Sequence, residues 1–299
     1  MLAASALPGC KWARGEQAGQ ALGHFGRTGR GDGEFIYPRA IDVRRAGGRV
    51  ELVIADKTGR IQWLDPAGTC RLSVALPACA DGKPTGLSVG PDGNLYVADT
   101  HYHRVLVYDG QGRLVRQFGR FGQGEGEFIY PTDVAFAPDG RIFVSEYGGN
   151  DRVSIFDAQG RFLGQIGSPG EGEGQFSRPQ SLAVDAARGV LYVADACNHR
   201  IARYDLAGRL LGYVGRLGDA PGELRYPYGL ALAEDGTLVV CEFGNNRLQL
   251  FDPQGRSRGI IGSAGRELGQ LAYPWSVAVH DGRAYVLDSG SDRVQVWRL

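Results

Sequence analysis

The chain has 299 residues, with 33 basic and 33 acidic side chains and no formal net charge. A hydrophobic share of 43% excludes an intrinsically disordered chain, no apolar run reaches the ~18 residues of a membrane-spanning helix, and the charge balance argues against a general nucleic-acid binder. Its 47 glycines lack the triplet period of collagen and oppose long helices, since an interior glycine costs ~1 kcal/mol relative to alanine, so composition points to short strands and many turns.

Residues 1–19 differ from everything after them. The run from Leu2 ends in Leu7-Pro8-Gly9-Cys10, which resembles the lipobox of bacterial lipoproteins and makes Cys10 a candidate for lipidation. No positively charged segment precedes it, and the apolar run is shorter than the roughly 7–15 residues of a signal-peptide core. Two readings stand: a lipoprotein signal truncated by a late start codon, and a leader with an incidental cysteine.

From residue 20 to 299 the chain repeats. A proline followed by an alternating apolar segment recurs at Pro38, Pro84, Pro131, Pro179, Pro227 and Pro274, spaced by 46, 47, 48, 48 and 47 residues. In step with it, an apolar strand ends in an acid, and a short turn leads to an arginine. These pairs are Asp56 and Arg60, Asp99 and Arg104, Glu146 and Arg152, Asp195 and Arg200, Glu242 and Arg247, and Asp288 and Arg293. Tight turns such as Pro91-Asp92-Gly93 and Pro138-Asp139-Gly140 lie between the two signatures, and Asp-Gly between alternating runs signals a hairpin.

Each repeat therefore predicts four short strands, in the second repeat over 85–89, 94–98, 104–109 and 113–118. Ser181 to Arg188 invites a helix, but it occupies the first-strand slot of its repeat and is read as a strand. Six repeats of four antiparallel strands predict an all-β, six-bladed propeller, whose radial repetition leaves only short edges. The last repeat stops after its third strand, near Val294 to Trp297, and its missing fourth strand appears at the other end as Gly19 to Gly26. The N-terminal strand is thus predicted to close the last blade. The first repeat departs most: its Asp56–Arg60 turn is one residue shorter than that of the second repeat, and Cys70 to Cys79 replaces the Phe-Gly connector, predicting an irregular outer strand.

Leu95-Tyr96-Val97-Ala98-Asp99 through Arg104, Leu191-Tyr192-Val193-Ala194-Asp195 through Arg200, and the connector Phe118 to Phe128 leading to Pro131 resemble the NHL-repeat family. The resemblance covers about residues 20–299 and implies a six-bladed propeller. It leaves activity open, because NHL and related propellers include protein-interaction platforms, RNA-binding modules, and metal-assisted lyases and hydrolases; fold alone does not fix function.

Residues needed in every blade are read as architectural rather than catalytic. Asp56, Arg60, Asp99, Arg104, Arg152, Asp195, Arg200, Arg247, Asp288 and Arg293 are therefore assigned structural roles. The glycine-rich connectors lack the Gly-Lys-Ser/Thr of a phosphate loop. Residues that differ between blades are the candidates for a site. The turns between second and third strands and the blade connectors share one rim, which gathers Arg39, Tyr130, Arg178, Tyr228, Trp275, His103 and His199; the alternative is that the tyrosines cap the core. His101, His103 and His199 have side chains suited to a transition metal. Glu146 and Glu242, one carbon longer than the aspartate of the other repeats, suit calcium ligation or a general base. After Cys10, Cys70 and Cys79 are the nearest pair for a disulfide, Cys197 lies in a rim turn and Cys241 ends a strand.

The expected function is a non-enzymatic binding scaffold without a cofactor, carrying a protein, peptide, glycan or small ligand on its rim, in the bacterial envelope with a periplasmic or lipid-anchored location. If the leader is not a signal, the location is cytoplasmic. The alternatives are a lyase or hydrolase with a divalent metal at the channel mouth, and an RNA-binding propeller, which the charge balance disfavours.

Overall fold

The computed structural model describes residues 19–80 and 83–299, so Cys10 and the leader lie outside the described residues. Six four-stranded antiparallel sheets follow one another around a ring. Their inner strands are Pro38–Ala46, Gly86–Val89, Tyr130–Phe136, Pro179–Asp185, Pro227–Leu232 and Pro274–His280. Each inner strand lies against the next, and the last lies against the first. The second repeat forms strands at Gly86–Val89, Leu95–Asp99, Arg104–Tyr108 and Leu114–Phe118, and the ambiguous stretch from Ser181 begins inside an inner strand.

The core is divided among the blade interfaces. Among the described residues, six apolar clusters fill the contacts between neighbouring blades, for example Trp63 with Leu95 and Tyr108 between the first and second. Period-two alternation drives this, because each strand presents one row of side chains to each neighbouring blade.

Ala21–Phe25 pairs with Arg293–Arg298, with Ala21 opposite Trp297 and Phe25 opposite Val294. The Gly19 amide also donates to the Arg298 carbonyl at 2.9 Å. The two chain ends therefore share one blade, and the ring is held shut without a covalent bond.

The first blade corrects one expectation. Its outer strand, Cys70–Ala75, pairs regularly along Arg60–Leu64 apart from one shift at Leu64. The departure lies beyond it. Five other connectors carry a short parallel bridge, such as Phe121 with Phe128; among the described residues the connector after Ala75 carries none. Cys70 and Cys79, the nearest pair in sequence, form no disulfide, and the four described cysteines are free. Cys70 sits opposite Leu64, whereas Cys79 packs on Gly59 at the other end of that strand, about 17 Å away at strand rise.

Candidate ligand-binding site at the channel mouth

The six acid–arginine pairs form clamps at one face. Their N–O distances are 3.0 Å for Asp56–Arg60, 2.9 Å for Asp99–Arg104 and 2.7 Å for Glu146–Arg152. The remaining three are 2.8 Å for Asp195–Arg200, 2.6 Å for Glu242–Arg247 and 2.7 Å for Asp288–Arg293. Glu146 and Glu242 are fully buried. Glu146 also accepts from the Ile129 amide at 2.7 Å, and Glu242 from the Arg225 amide at 3.1 Å. The arginine fork reaches past the acid to connector carbonyls, as in Arg152 to Glu127 at 3.0 Å and Arg200 to Gln175 at 2.9 Å. Burial pushes the Asp99, Glu146 and Asp195 carboxyls up, opposed by hydrogen bonds and their arginines. In five blades these groups tie the connector to its blade; in the second, Asp99 is held by Arg104, and its Oδ1 is buried without a hydrogen bond among the described residues.

A second set of contacts clasps blade to blade. Tyr37, Arg178, Tyr226 and Tyr273, each just before a repeated proline, adopt left-handed backbone angles, with φ of 49°, 58°, 48° and 52°. Bulky residues rarely adopt this region, and a following proline removes the helical alternative. The amide of each is met by the side chain preceding an arginine in the previous blade. Tyr37 donates to Asp292 at 2.7 Å, Arg178 to Asp151 at 2.5 Å, Tyr226 to His199 Nδ1 at 3.1 Å and Tyr273 to Asn246 at 2.7 Å. His103 Nδ1 meets the Ile129 carbonyl instead. His199 accepts through Nδ1 and so must be neutral; burial and nearby Arg225 hold its pKa below the usual range. His103 and His199 thus spend Nδ1 on clasps, and their rings pack on Tyr130 and Tyr226.

Inside these clasps, one side of the mouth is aromatic and cationic. Tyr228 stacks on Phe243 with centroids 4.6 Å apart, and meets Trp275 edge-on at 4.9 Å. Arg39 lies over Trp275 at 5.0 Å and over Tyr37 at 5.9 Å. Arg178 lies over Tyr147 at 5.0 Å and Tyr228 at 5.5 Å. Tyr130 extends the row, 5.2 Å from Tyr147. Below lies a channel cavity of about 480 Å³, lined by residues in or next to the inner strands, including Arg39, Thr85, Gln180, Tyr228 and Trp275.

Two carboxyls line the channel deeper in. Asp42 accepts from the Val89 amide at 2.7 Å, and Asp133 from Ser181 Oγ and the Leu182 amide at 2.9 Å each. All three bonds cross to the next blade. Neither carboxyl has an ion-pair partner among the described residues, and burial pushes Asp42 up to about 6 and Asp133 up to about 7.

The structure therefore brings Arg39, Arg178, Tyr228 and Trp275 together, with Tyr130 at the edge of the group. It places Glu146 and Glu242 in the clamps and His103 and His199 in the clasps. Sequence reasoning passed over Tyr147 and Phe243 as mouth residues. Their signal was present: in blades three and five each follows a glutamate, where Thr100, Ala196 and Ser289 open a short 3-10 turn in the alternate blades. Asp42 and Asp133 were also missed, although each stands out among small inner-strand residues.

Comparisons with known proteins agree with this architecture. A family described as 6-bladed beta-propeller matches residues 134–214, and the NHL repeat matches residues 82–108. Protein brain tumor of Drosophila melanogaster is 37% identical over 65 residues, which is 21% of this chain and 6% of that protein. RING finger protein nhl-1 of Caenorhabditis elegans is 33% identical over 133 residues, or 44% of this chain and 10% of that protein. The chain thus spans a tenth or less of these relatives. Among solved structures, a streptogramin B lyase superposes with a TM-score of 0.65 at 17% identity, covering 93% of this chain and 86% of that one. Virginiamycin B lyase from Staphylococcus aureus gives 0.62 at 15% identity, covering 88% and 94%. At such identities these structures share the fold. With six sheets in a closed ring, the chain is a six-bladed β-propeller whose second blade matches the NHL repeat.

Proposed function

We propose that this propeller is a binding module whose working face is the channel mouth bounded by Arg39, Tyr147, Arg178, Tyr228 and Trp275. The observation that carries the reading is the division of labour at this face. The residues common to all blades hold the ring together, while the mouth side chains differ from blade to blade; Arg178 alone among them also serves a clasp, and does so through its backbone amide. Buried Tyr228 and Trp275 and half-buried Tyr147, with arginines laid over them, offer apolar area, stacking faces and charge in one concavity. Crystallographic screening with small polar fragments tests it. Fragments should collect between Arg39 and Tyr228; fragments found only at the opposite face or the outer strands would refute the assignment.

The reading extends to location. The Leu7-Pro8-Gly9-Cys10 run supports anchoring in a bacterial envelope through a lipid on Cys10. Intact mass and fractionation of the expressed chain check this: a diacylglyceryl adduct on a membrane-bound product supports it, and an unmodified Met1 terminus on soluble protein contradicts it.

A further inference from the structure

Two guanidiniums lie at the mouth, each over aromatic rings and neither paired with a carboxylate among the described residues. Arg39 belongs to the first blade and Arg178 to the fourth, on opposite sides of the ring. The six repeated arginines each hold an acid within 3.0 Å. Arg39 and Arg178 form no such pair among the described residues, and the Nε of each is buried with no acceptor. Aromatic faces partly stabilise both charges. Burial nevertheless holds the Arg39 guanidinium below its ordinary range, and the like charge of Arg178 adds to the effect. Like charges gathered in a half-buried site favour an anion between them.

The neighbouring polar atoms narrow the anion. Gln180, on the same strand as Pro179 and only 3% exposed, has a buried Oε1 that accepts no hydrogen bond. Trp275, 8% exposed, has a buried Nε1 that donates none. Both residues line the cavity. The mouth thus presents cationic forks, an indole donor and one unmet acceptor, all walled by aromatic rings. An anion with no proton to donate would satisfy the donors but would offer Gln180 Oε1 only further acceptor oxygens, so the ligand must also carry an N–H or O–H donor.

We propose that the mouth binds a carboxylate flanked by an N–H or O–H donor and an apolar body. The carboxylate lies between Arg39 and Arg178, the donor meets Gln180 Oε1, and the apolar body lies against Tyr228 and Trp275. A peptide's C-terminal residue and a free N-acyl amino acid share this chemistry. The proposal rests on the binding-module reading and gives it a ligand class.

Calorimetric titration of the full chain tests it, with N-acetyl-phenylalanine, a hexapeptide ending in phenylalanine, and the carboxamide of each as probes. At least one free carboxylate should bind saturably below about 10 mM, a weak affinity suited to a fragment of a ligand. Amidation, Arg39→Gln and Arg178→Gln should each weaken it about tenfold or more, the loss expected when a charge-assisted hydrogen bond is broken. Arg39→Lys, which keeps charge but not the fork, should fold like the parent and recover only part of the loss. A hexapeptide that binds more tightly than the small acid identifies a chain terminus as the source; equal affinities identify the free acid. Binding indifferent to amidation and to both arginine variants overturns the carboxylate assignment and leaves the mouth standing as a binding face. No binding by any probe to about 10 mM overturns the proposal, while the fragment screen still decides the mouth.

Discussion

Asp292 Oδ1 accepts a hydrogen bond from the Tyr37 amide at 2.7 Å across the seam between the last and first blades. Its other oxygen accepts from Thr28 Oγ1 at 2.6 Å. The same side chain therefore secures the connector and holds Tyr37 in its left-handed conformation, from which the tyrosine ring meets Trp275 at 5.7 Å. Asp292→Ala should destabilise the fold by about 1–2 kcal/mol, the cost of two lost hydrogen bonds, while Asp292→Asn should restore much of it. Urea unfolding of both variants checks this, and an unchanged midpoint for the alanine variant would remove the clasp from the account.

The non-covalent closure predicts an asymmetric truncation series. Removing residues 1–16 takes nothing from the described ring. Removing residues 1–25 strips the outer strand from the last blade and bares the edge of Arg293–Arg298, an edge open to further strand pairing. The shorter deletion should melt within a degree or two of the parent, whereas the longer one should lose many degrees and aggregate. Scanning calorimetry of the two proteins separates these outcomes.

Most of the ring was legible in the sequence because its causes are local and repeated. Proline, the Asp-Gly turns and the acid–arginine spacing each recur once per blade, so an exception such as the helix-like run from Ser181 was overruled by its position. The mouth was less legible. His199 and Glu242 carry side chains typical of sites, yet their roles follow from which backbone amides the closed ring brings to them, a long-range fact invisible along the chain. Tyr147 and Phe243 show the converse: ordinary aromatics gain their place where the third and fifth blades have no 3-10 turn after the clamp glutamate. The regular outer strand over Cys70–Ala75 shows that a lost motif marked the connector rather than the strand before it.

The clamps carry a stability cost if broken from one side. Glu242 is fully buried and Arg247 is 9% exposed, and the pair is 2.6 Å apart. Glu242→Ala leaves a buried guanidinium without its acid and should cost about 3–5 kcal/mol. Glu242→Gln, which keeps the shape and acceptor oxygen, should cost less. Denaturant unfolding ranks the two, and equal, small losses would contradict the clamp.

The channel carboxyls set a pH dependence of definite sign. Asp42 and Asp133 have folded pKa values raised from 3.8 to about 6 and about 7. The folded chain then holds protons that the unfolded chain releases, so their contribution is full below about pH 4 and is lost as pH rises through 6 and 7. The loss is on the order of a few kcal/mol between pH 5 and 8. Asp133→Asn should flatten this alkaline limb. His199 acts in the opposite sense: its lowered pKa means its contribution is present above about 6.5 and fades as pH falls. His199→Asn, matching the clasp made by Asn246, should remove that acidic component. Unfolding curves at several pH values read both limbs.

Cys197 provides the most direct measurement of the central claim, that the mouth is the working face. The residue is exposed and lies within electrostatic reach of Arg178 and Tyr228. The rate of iodoacetamide alkylation at Cys197, read by peptide mass spectrometry, should fall saturably as N-acetyl-phenylalanine is added. The protection should disappear in Arg178→Gln. A Cys197 rate unchanged at ligand concentrations that saturate binding in calorimetry would place the ligand elsewhere and contradict the account.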